Sequence, residues 1–240
     1  GNKVFCYAMA PFISLRCIEQ TKCGPGLMNL PICLISVGIG LGYADAGPTH
    51  YANEDLACLS SLVGINIYTP SDNVTVKKIA LNYFQNPKFS YIRLDRNITP
   101  DLSPKILSSD FNQGFKVYGK INKKNITVIS HGKIFHRCLE IMNSKQGNNI
   151  ACVNIIKSKP FPETLHRILS KSKAILVVDE QTPSGNLGAQ VFENMSTNNI
   201  FTKIKVCCID NKYIFENGGR DYLLDKFGLS KKNILSSINK

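Results

Sequence analysis

Four stretches in the first hundred residues of this 240-residue sequence carry side chains able to do chemistry. Tyr7, Met9 and Phe12 group flat aromatic and polarisable sulfur surface, of the kind that receives a planar ligand ring. The run Gly38-Ile39-Gly40-Leu41-Gly42 allows close backbone approach, and Asp45-Ala46-Gly47-Pro48-Thr49-His50 brings an acid and an imidazole onto one turn. Arg93 and Arg96 end a β-rich run, where a forked guanidinium suits a phosphate. The last three stretches each follow a predicted strand, and ligands of parallel α/β sheets gather outside those carboxyl ends.

Each stretch also has a purely structural reading. The glycine run lacks dinucleotide spacing, because Tyr43 stands where the third glycine is needed, so it is either a ligand contact or a flexible turn passing close to another chain. His50 is held by a rigid Gly-Pro-Thr turn just before a predicted helix. It either exchanges a proton or hydrogen bond with a substrate hydroxyl or is an ordinary loop histidine. Strand alternation sends residues 93 and 95 to one face and 94 and 96 to the other, so the two arginines need not share a target. An Arg93 to Asp95 pair without function is the alternative there.

The elements that must position these residues alternate between β-rich apolar runs and helical patterns over the whole length, which predicts an α/β protein with parallel strands. Strands are predicted over 4–7, 32–37, 65–68 and 90–94, with helices over 12–22, 53–62 and 73–84 capped by Asn53 and Asn73. A Pro-, Ser-, Asp- and Asn-rich stretch over 97–114 reads as a linker. Beyond it come strands over 126–130, 150–155, 174–178 and 203–209. Helices are predicted over 134–143, 162–170, 187–195, 221–227 and 231–238, with Gly228 stopping the fourth.

Composition narrows the function classes. With 43% apolar and 19% charged residues the chain is globular, neither disordered nor fibrous. The net charge of +12 is split unevenly, +1 over residues 1–102 and +11 beyond. The lysines of the second half are scattered, with only Lys123-Lys124 and Lys231-Lys232 adjacent, which fits a solvated surface better than a nucleic-acid stripe. Nine cysteines, an odd number largely inside apolar runs, argue against a disulfide framework and for a reducing, cytoplasmic compartment. Neither Cys-x-x-Cys nor zinc-like histidine spacing occurs, and no apolar stretch approaches the roughly 20 residues that span a bilayer.

Taken together, YAMAPFISLRCIEQ (7–20), GPTHYANEDLACL (47–59) with TPSD (69–72), YIRLDR (91–96), VVDEQTPSGNLGAQV (177–191) and GGRDYLLDKFGL (218–229) resemble the transketolase family of thiamine diphosphate enzymes. The likeness covers essentially the whole chain and is greatest to split transketolases, whose C-terminal half is a separate subunit. It implies two α/β domains: an incomplete pyrimidine-binding domain over residues 1–100, lacking its N-terminal part, and a transketolase C-terminal domain over 116–240, joined by a linker over 101–115. Phe12 would stack on the cofactor's aminopyrimidine with Met9 and Tyr7 beside it, His50 would touch substrate hydroxyls, and Arg96 would hold a sugar phosphate. The family's sugar-reading aspartate is replaced by Ala46, with Asp45 adjacent as the substrate-binding carboxylate.

The resemblance also implies what lies elsewhere. The family's activating glutamate precedes the first strand, so this sequence is expected to begin after it; Glu19 and Glu54 fall on helices and do not replace it. No Gly-Asp-Gly motif is present, so the diphosphate and its magnesium would be bound by a partner domain or N-terminal subunit, within a homo- or hetero-oligomer, with no metal held by this chain. The implied activity is transfer of a two-carbon ketol unit between sugar phosphates, only in that assembly. The Thr-His-x-x-x-Glu-Asp spacing favours this over deoxyxylulose-phosphate synthase and ketoacid dehydrogenase β subunits. The alternative is a non-catalytic interaction module or gene fragment lacking the glutamate. Two further features, Glu180-Gln181 and the Gly185–Gly188 loop, either bind a ligand or pack between domains.

Overall fold

In the computed structural model, which describes residues 2–238, the apolar runs of the first half become four parallel strands: β1 (Val4–Met9), β2 (Ile32–Val37), β3 (Asn66–Tyr68) and β4 (Ser90–Leu94). The second half contributes β5 (Phe115–Tyr118), β6 (Ile126–Ser130), β7 (Ile150–Ile155), β8 (Lys157–Lys159), β9 (Ala174–Val178) and β10 (Ile204–Cys207). Two five-stranded sheets result, ordered β1-β2-β4-β3-β8 and β10-β9-β6-β7-β5. All pairs are parallel except β3 with β8 and β5 with β7. This is the expected α/β class in two domains, with β8 of the second half completing the first sheet.

Helices cover both sheets: α1 (Ala10–Ile13), α2 (Ile18–Thr21), α3 (Asp55–Ser60), α4 (Asn73–Gln85) and α5 (Ser108–Gln113), then α6 (Ile134–Met142), α7 (Leu165–Leu169), α8 (Leu187–Thr197), α9 (Arg220–Lys226) and α10 (Lys231–Ile238). Alternation along each strand decides which core a side chain joins. Leu34, Ile67 and Tyr91 meet Leu56 and Leu59 on one face of the first sheet, while Cys33, Tyr68 and Ile92 meet Ile79 and Tyr83 on the other. The second sheet divides likewise, Val128, Cys152 and Leu176 facing Phe135 and Leu223, and Ile129, Val153 and Val177 facing Leu165 and Val191. Leu41, Ala44 and Tyr51 of the first half are buried in the core of the second, so the domains share apolar interior.

Several expectations are corrected. The single helix predicted over 12–22 is broken into α1, a 3-10 turn (Leu15–Cys17), α2 and a π-helical turn (Lys22–Gly26). The Ala10 carbonyl accepts both the Ser14 N–H at 3.1 Å and Ser14 Oγ at 2.5 Å, and Cys17 Sγ donates to the Phe12 carbonyl at 3.1 Å, so side chains share carbonyls a regular helix would use. Neither predicted asparagine caps its helix. Asp72 caps α4, accepting the Thr75 N–H at 2.8 Å, whereas Asn73 donates to the Thr99 carbonyl and Asn53 to the Glu180 carbonyl. The stretch expected as a linker contains α5, whose buried Phe111 stacks on Tyr68 with ring centroids 6.3 Å apart. Among the described residues no helix is long and apolar enough to cross a membrane.

Candidate active site

The turns that leave the carboxyl ends of β1, β2 and β4 bring their side chains into one chain of contacts. Phe12 lies on α1 directly after β1, and its ring meets that of His50 edge-on at 5.2 Å. His50 in turn meets Tyr43 at 6.2 Å, and the Arg96 guanidinium lies 4.8 Å from the Tyr43 ring centroid. Arg96 also donates to Asp45 at 2.8 Å. Phe12, His50, Asp45 and Arg96, far apart in sequence, therefore form one cluster. Tyr7 and Met9 do not join it through any ring contact or hydrogen bond among the described residues. Tyr7 is 68% exposed on β1, and Met9 ends the strand half-buried.

Tyr43 and Arg16 complete the cluster and were not evident as site residues in the sequence. The Arg16 guanidinium sits 3.9 Å from the Phe12 ring centroid, covering one face of it. Tyr43 owes its place to Gly38, whose φ of +81° suits only glycine and whose missing side chain leaves room for the ring; a Cβ there would meet Tyr43 at 2.1 Å. The glycine run is thus a packing seat. Its second glycine, Gly40, is overlaid by Glu180 of the second half, with a Cβ there only 2.5 Å from the carboxylate. The spacing Gly-x-x-x-x-Tyr carries no recognised signal, which is why Tyr43 is missed from sequence.

His50 Nδ1 shares a hydrogen bond with Thr49 Oγ1 at 2.9 Å, leaving Nε2 as the nitrogen available to a ligand. The Asp45–Arg96 pair is open to solvent, its side chains 68% and 43% exposed, and Arg96 borders a cavity of about 170 Å³ shared with Asn73, Asp95 and Lys133. An exposed ion pair of this kind stabilises by no more than about 1 kcal/mol, so a dianionic phosphate can replace Asp45 at little cost. A cavity of about 670 Å³ adjoins the Arg96 cavity through Thr99 and Lys133 and runs past Glu180 and Arg220 to Arg137, and one of about 710 Å³ lies elsewhere on the domain boundary beside Arg167.

Arg93 has a different fate from Arg96. It is buried, and its partner is Asp55, not the Asp95 of the alternative reading: Nε and Nη2 bond the two carboxylate oxygens at 2.8 and 2.9 Å. Tyr91 donates to the same carboxylate at 2.7 Å. Burial opposes the Arg93 charge, but Asp55 outweighs it and holds the guanidinium above its ordinary range. His131, just after β6, lies 3.4 Å from Arg93 Nη1 and 3.4 Å from Asp179, just after β9. Burial pushes the Asp179 carboxyl up, yet the neighbouring His131, with Arg93 behind it, brings it below the usual carboxylate range. The carboxyl ends of the two sheets thus meet across a buried ionic network.

The segment after β9 clamps the loop that follows His50. Gln181 Nε2 donates to the Ala52 carbonyl and to Asp55, and its Oε1 accepts the Leu56 N–H. The Thr182 N–H bonds the Asn53 carbonyl at 2.9 Å, and Gly185 packs against Ala57. These residues pack between the domains, so the second half holds the loop after His50 in place.

For the implied cofactor, the half-buried Phe12 ring at the end of β1 fits an aminopyrimidine, a flat ring with an apolar face. The diphosphate and its metal find no such fit: among the described residues no group of three His, Cys, Asp or Glu side chains converges to hold an ion.

The family model of the transketolase pyrimidine-binding domain matches residues 1–101, and that of the transketolase C-terminal domain matches residues 117–234. The chain is 26% identical to a subunit of the apulose-4-phosphate transketolase of Phocaeicola vulgatus, over 96% of this chain and 75% of that relative. It is 27% identical to transketolase-like protein 1 of Bos taurus, over 98% of this chain but 39% of the relative, so it spans about two fifths of that longer protein. Among solved structures, a split gene transketolase described as an inactive beta4 tetramer superposes with a TM-score of 0.84 at 21% identity, covering 98% of this chain and 75% of that one.

Proposed function

The chain belongs to the transketolase family, its halves matching the pyrimidine-binding and C-terminal domains, and we propose that it supplies the pyrimidine-and-substrate side of a two-carbon ketol transferase. The diphosphate-binding side comes from another domain or subunit. The observation that carries this reading is the contact chain from Phe12 through His50 and Tyr43 to Arg96, which lines up a ring-stacking surface, a proton-handling group and a phosphate-binding cation in that order. A phosphorylated sugar reaching from a bound cofactor ring needs these three functions in sequence.

Thiamine diphosphate with magnesium supplies, when bound, the means to break and remake the carbon–carbon bond of the two-carbon unit. The chain's own residues position and protect. Phe12 offers the face not covered by Arg16 to the aminopyrimidine, with Met9 and Tyr7 placed on the neighbouring strand to extend that wall. His50, with Nδ1 engaged by Thr49, presents Nε2 to a sugar hydroxyl near the reacting carbonyl and moves its proton. Arg96 exchanges Asp45 for the substrate phosphate, and the released Asp45 carboxylate is available to a sugar hydroxyl. The nine free thiols fit a reducing, cytoplasmic setting.

The need for a second component is supported by the likeness to a relative that is itself one subunit of a transketolase. In the test, the chain is assembled with a diphosphate-binding transketolase subunit, and cofactor affinity and turnover are read separately. His50→Ala is expected to slow ketol transfer by on the order of 10²-fold with cofactor affinity unchanged. Phe12→Ala is expected to weaken thiamine diphosphate binding by about tenfold through loss of ring stacking. If both variants change both readouts equally, the roles are wrong, and an assembly that transfers no ketol unit contradicts the function.

A further inference from the structure

Arg220, from a motif in the last fifth of the chain, reaches the phosphate end of the site without touching Arg96. It opens α9 after Gly218 and Gly219, whose φ values of +135° and +92° form a turn open to glycine alone. Its Nη2 donates to both oxygens of Glu180 at 2.7 and 2.9 Å, and its Nη1 donates to Asp95. All three side chains are nearly buried, with 11%, 6% and 7% of the Arg220, Glu180 and Asp95 side chains exposed. One guanidinium from the second domain therefore ties a strand end of the first domain to a carboxylate of its own.

Both ends of that tie lead to Arg96. Asp95 is its chain neighbour, and a second oxygen of Asp95 accepts the Asn97 N–H at 3.0 Å, which fixes the backbone on the far side of Arg96. Glu180 Oε2 accepts the Leu41 N–H at 3.1 Å and fills the space over Gly40, fixing the glycine run. That run leads directly into Tyr43, the ring on which the Arg96 guanidinium lies. The backbone under Arg96 and the ring beneath its guanidinium are thus both held by Arg220 and Glu180.

We infer that Arg220, with Glu180, is a positioning residue for phosphate recognition: it sets the guanidinium of Arg96 where a sugar phosphate is bound. This rests on the reading of Arg96 as the phosphate ligand. A lysine cannot replace Arg220, because one ammonium on a flexible stem does not fork between two carboxylates. The effect falls on binding of the phosphate and leaves the bond-making end of the site untouched.

Arg220→Lys and the double variant Arg220→Met with Glu180→Gln are compared in the complete assembly; the second removes one positive and one negative buried charge together and leaves Asp95 with the Lys133 ammonium 3.7 Å away, which limits the cost of an unpaired carboxylate. Both are expected to raise KM for a phosphorylated aldose by about tenfold, with kcat within about twofold and no change in KM for the unphosphorylated aldose. Adding Arg96→Ala to Arg220→Lys is expected to cost no more than Arg96→Ala alone. Equal effects on phosphorylated and unphosphorylated sugars, or additive effects with Arg96→Ala, overturn the inference. Calorimetric titration of the assembly with a phosphorylated aldopentose gives a readout independent of turnover. The same roughly tenfold loss of affinity supports positioning even if no ketol transfer is found, which would contradict only the proposed activity. Failure of the unmodified assembly to bind the phosphorylated sugar overturns the inference itself.

Discussion

Arg93 and Arg96 are near neighbours in the chain, yet one is buried in a bidentate pair with Asp55 while the other is 43% exposed on a tyrosine ring. Burial decides what each charge does. Removing one partner of a buried pair leaves an uncompensated charge, so Arg93→Met is expected to destabilise the chain by about 3–5 kcal/mol, whereas Arg96→Ala is expected to cost less than about 1 kcal/mol. Urea unfolding of the two variants checks this, and equal costs would show that the Asp55 contact carries no structural weight. Residue type alone makes both arginines candidates for phosphate. Strand alternation separates them, but the true partner of Arg93 lies 38 positions away, beyond any local pattern.

At the scale of elements, the carboxyl ends of β4, β6 and β9 converge on Arg93, His131 and Asp179. The Asp179 carboxyl is held below its ordinary value of 3.8, so the folded state binds its proton less readily than the unfolded chain. Its contribution to stability is complete above 3.8 and is lost as the pH falls below that value. Asp179 also accepts the Leu187 N–H at the start of α8 at 2.9 Å, so the loss is felt by that helix as well. The stability gap between the unmodified chain and Asp179→Asn, measured by urea unfolding, is expected to narrow as the pH falls below 3.8. A gap that widens on acidification would refute the assignment.

The elements also show where sequence reading succeeds and stops. Buried central strands such as β2, β4, β6, β7 and β9 announce themselves as apolar runs, and their bounds match the reading. β8 is Lys-Ser-Lys, without apolar alternation, and it pairs with β3 from far earlier in the chain, so nothing local marks it. β5 is an antiparallel edge strand with only its first residue fully buried. The first helix reads as continuous because its apolar spacing is helical, while Cys17 Sγ takes the Phe12 carbonyl and the chain turns into a 3-10 segment after Ser14. In the site, Phe12, His50, Asp45 and Arg96 are legible by type and motif. Tyr43 and Arg16 are not, since ring and cation contacts depend on how Gly38 and the broken helix turn the chain.

The whole molecule behaves as two sheets joined by more than a linker. Leu41 and Tyr51 are buried in the second domain's core, β8 completes the first domain's sheet, and Gln181 and Arg220 bond across the boundary. Calorimetry is therefore expected to show one cooperative unfolding transition, and two well-separated transitions would show that the shared interior is energetically slight. The charge of +12 resides almost wholly beyond residue 102, and from that half Lys133 and Arg220 both pair with Asp95 beside Arg96, so the proposed phosphate recognition rests on a few placed side chains and not on a general field.

The central claim is that this chain carries one side of a transketolase-type site and that a diphosphate-binding component carries the other. Ketol transfer between a phosphorylated ketose and a phosphorylated aldose, followed with thiamine diphosphate and magnesium present for the chain alone, the diphosphate-binding subunit alone and the two mixed, tests it most directly. Activity that arises only on mixing and saturates at a fixed ratio of the two is the predicted result; full activity from either component alone, or none from the mixture, contradicts the account.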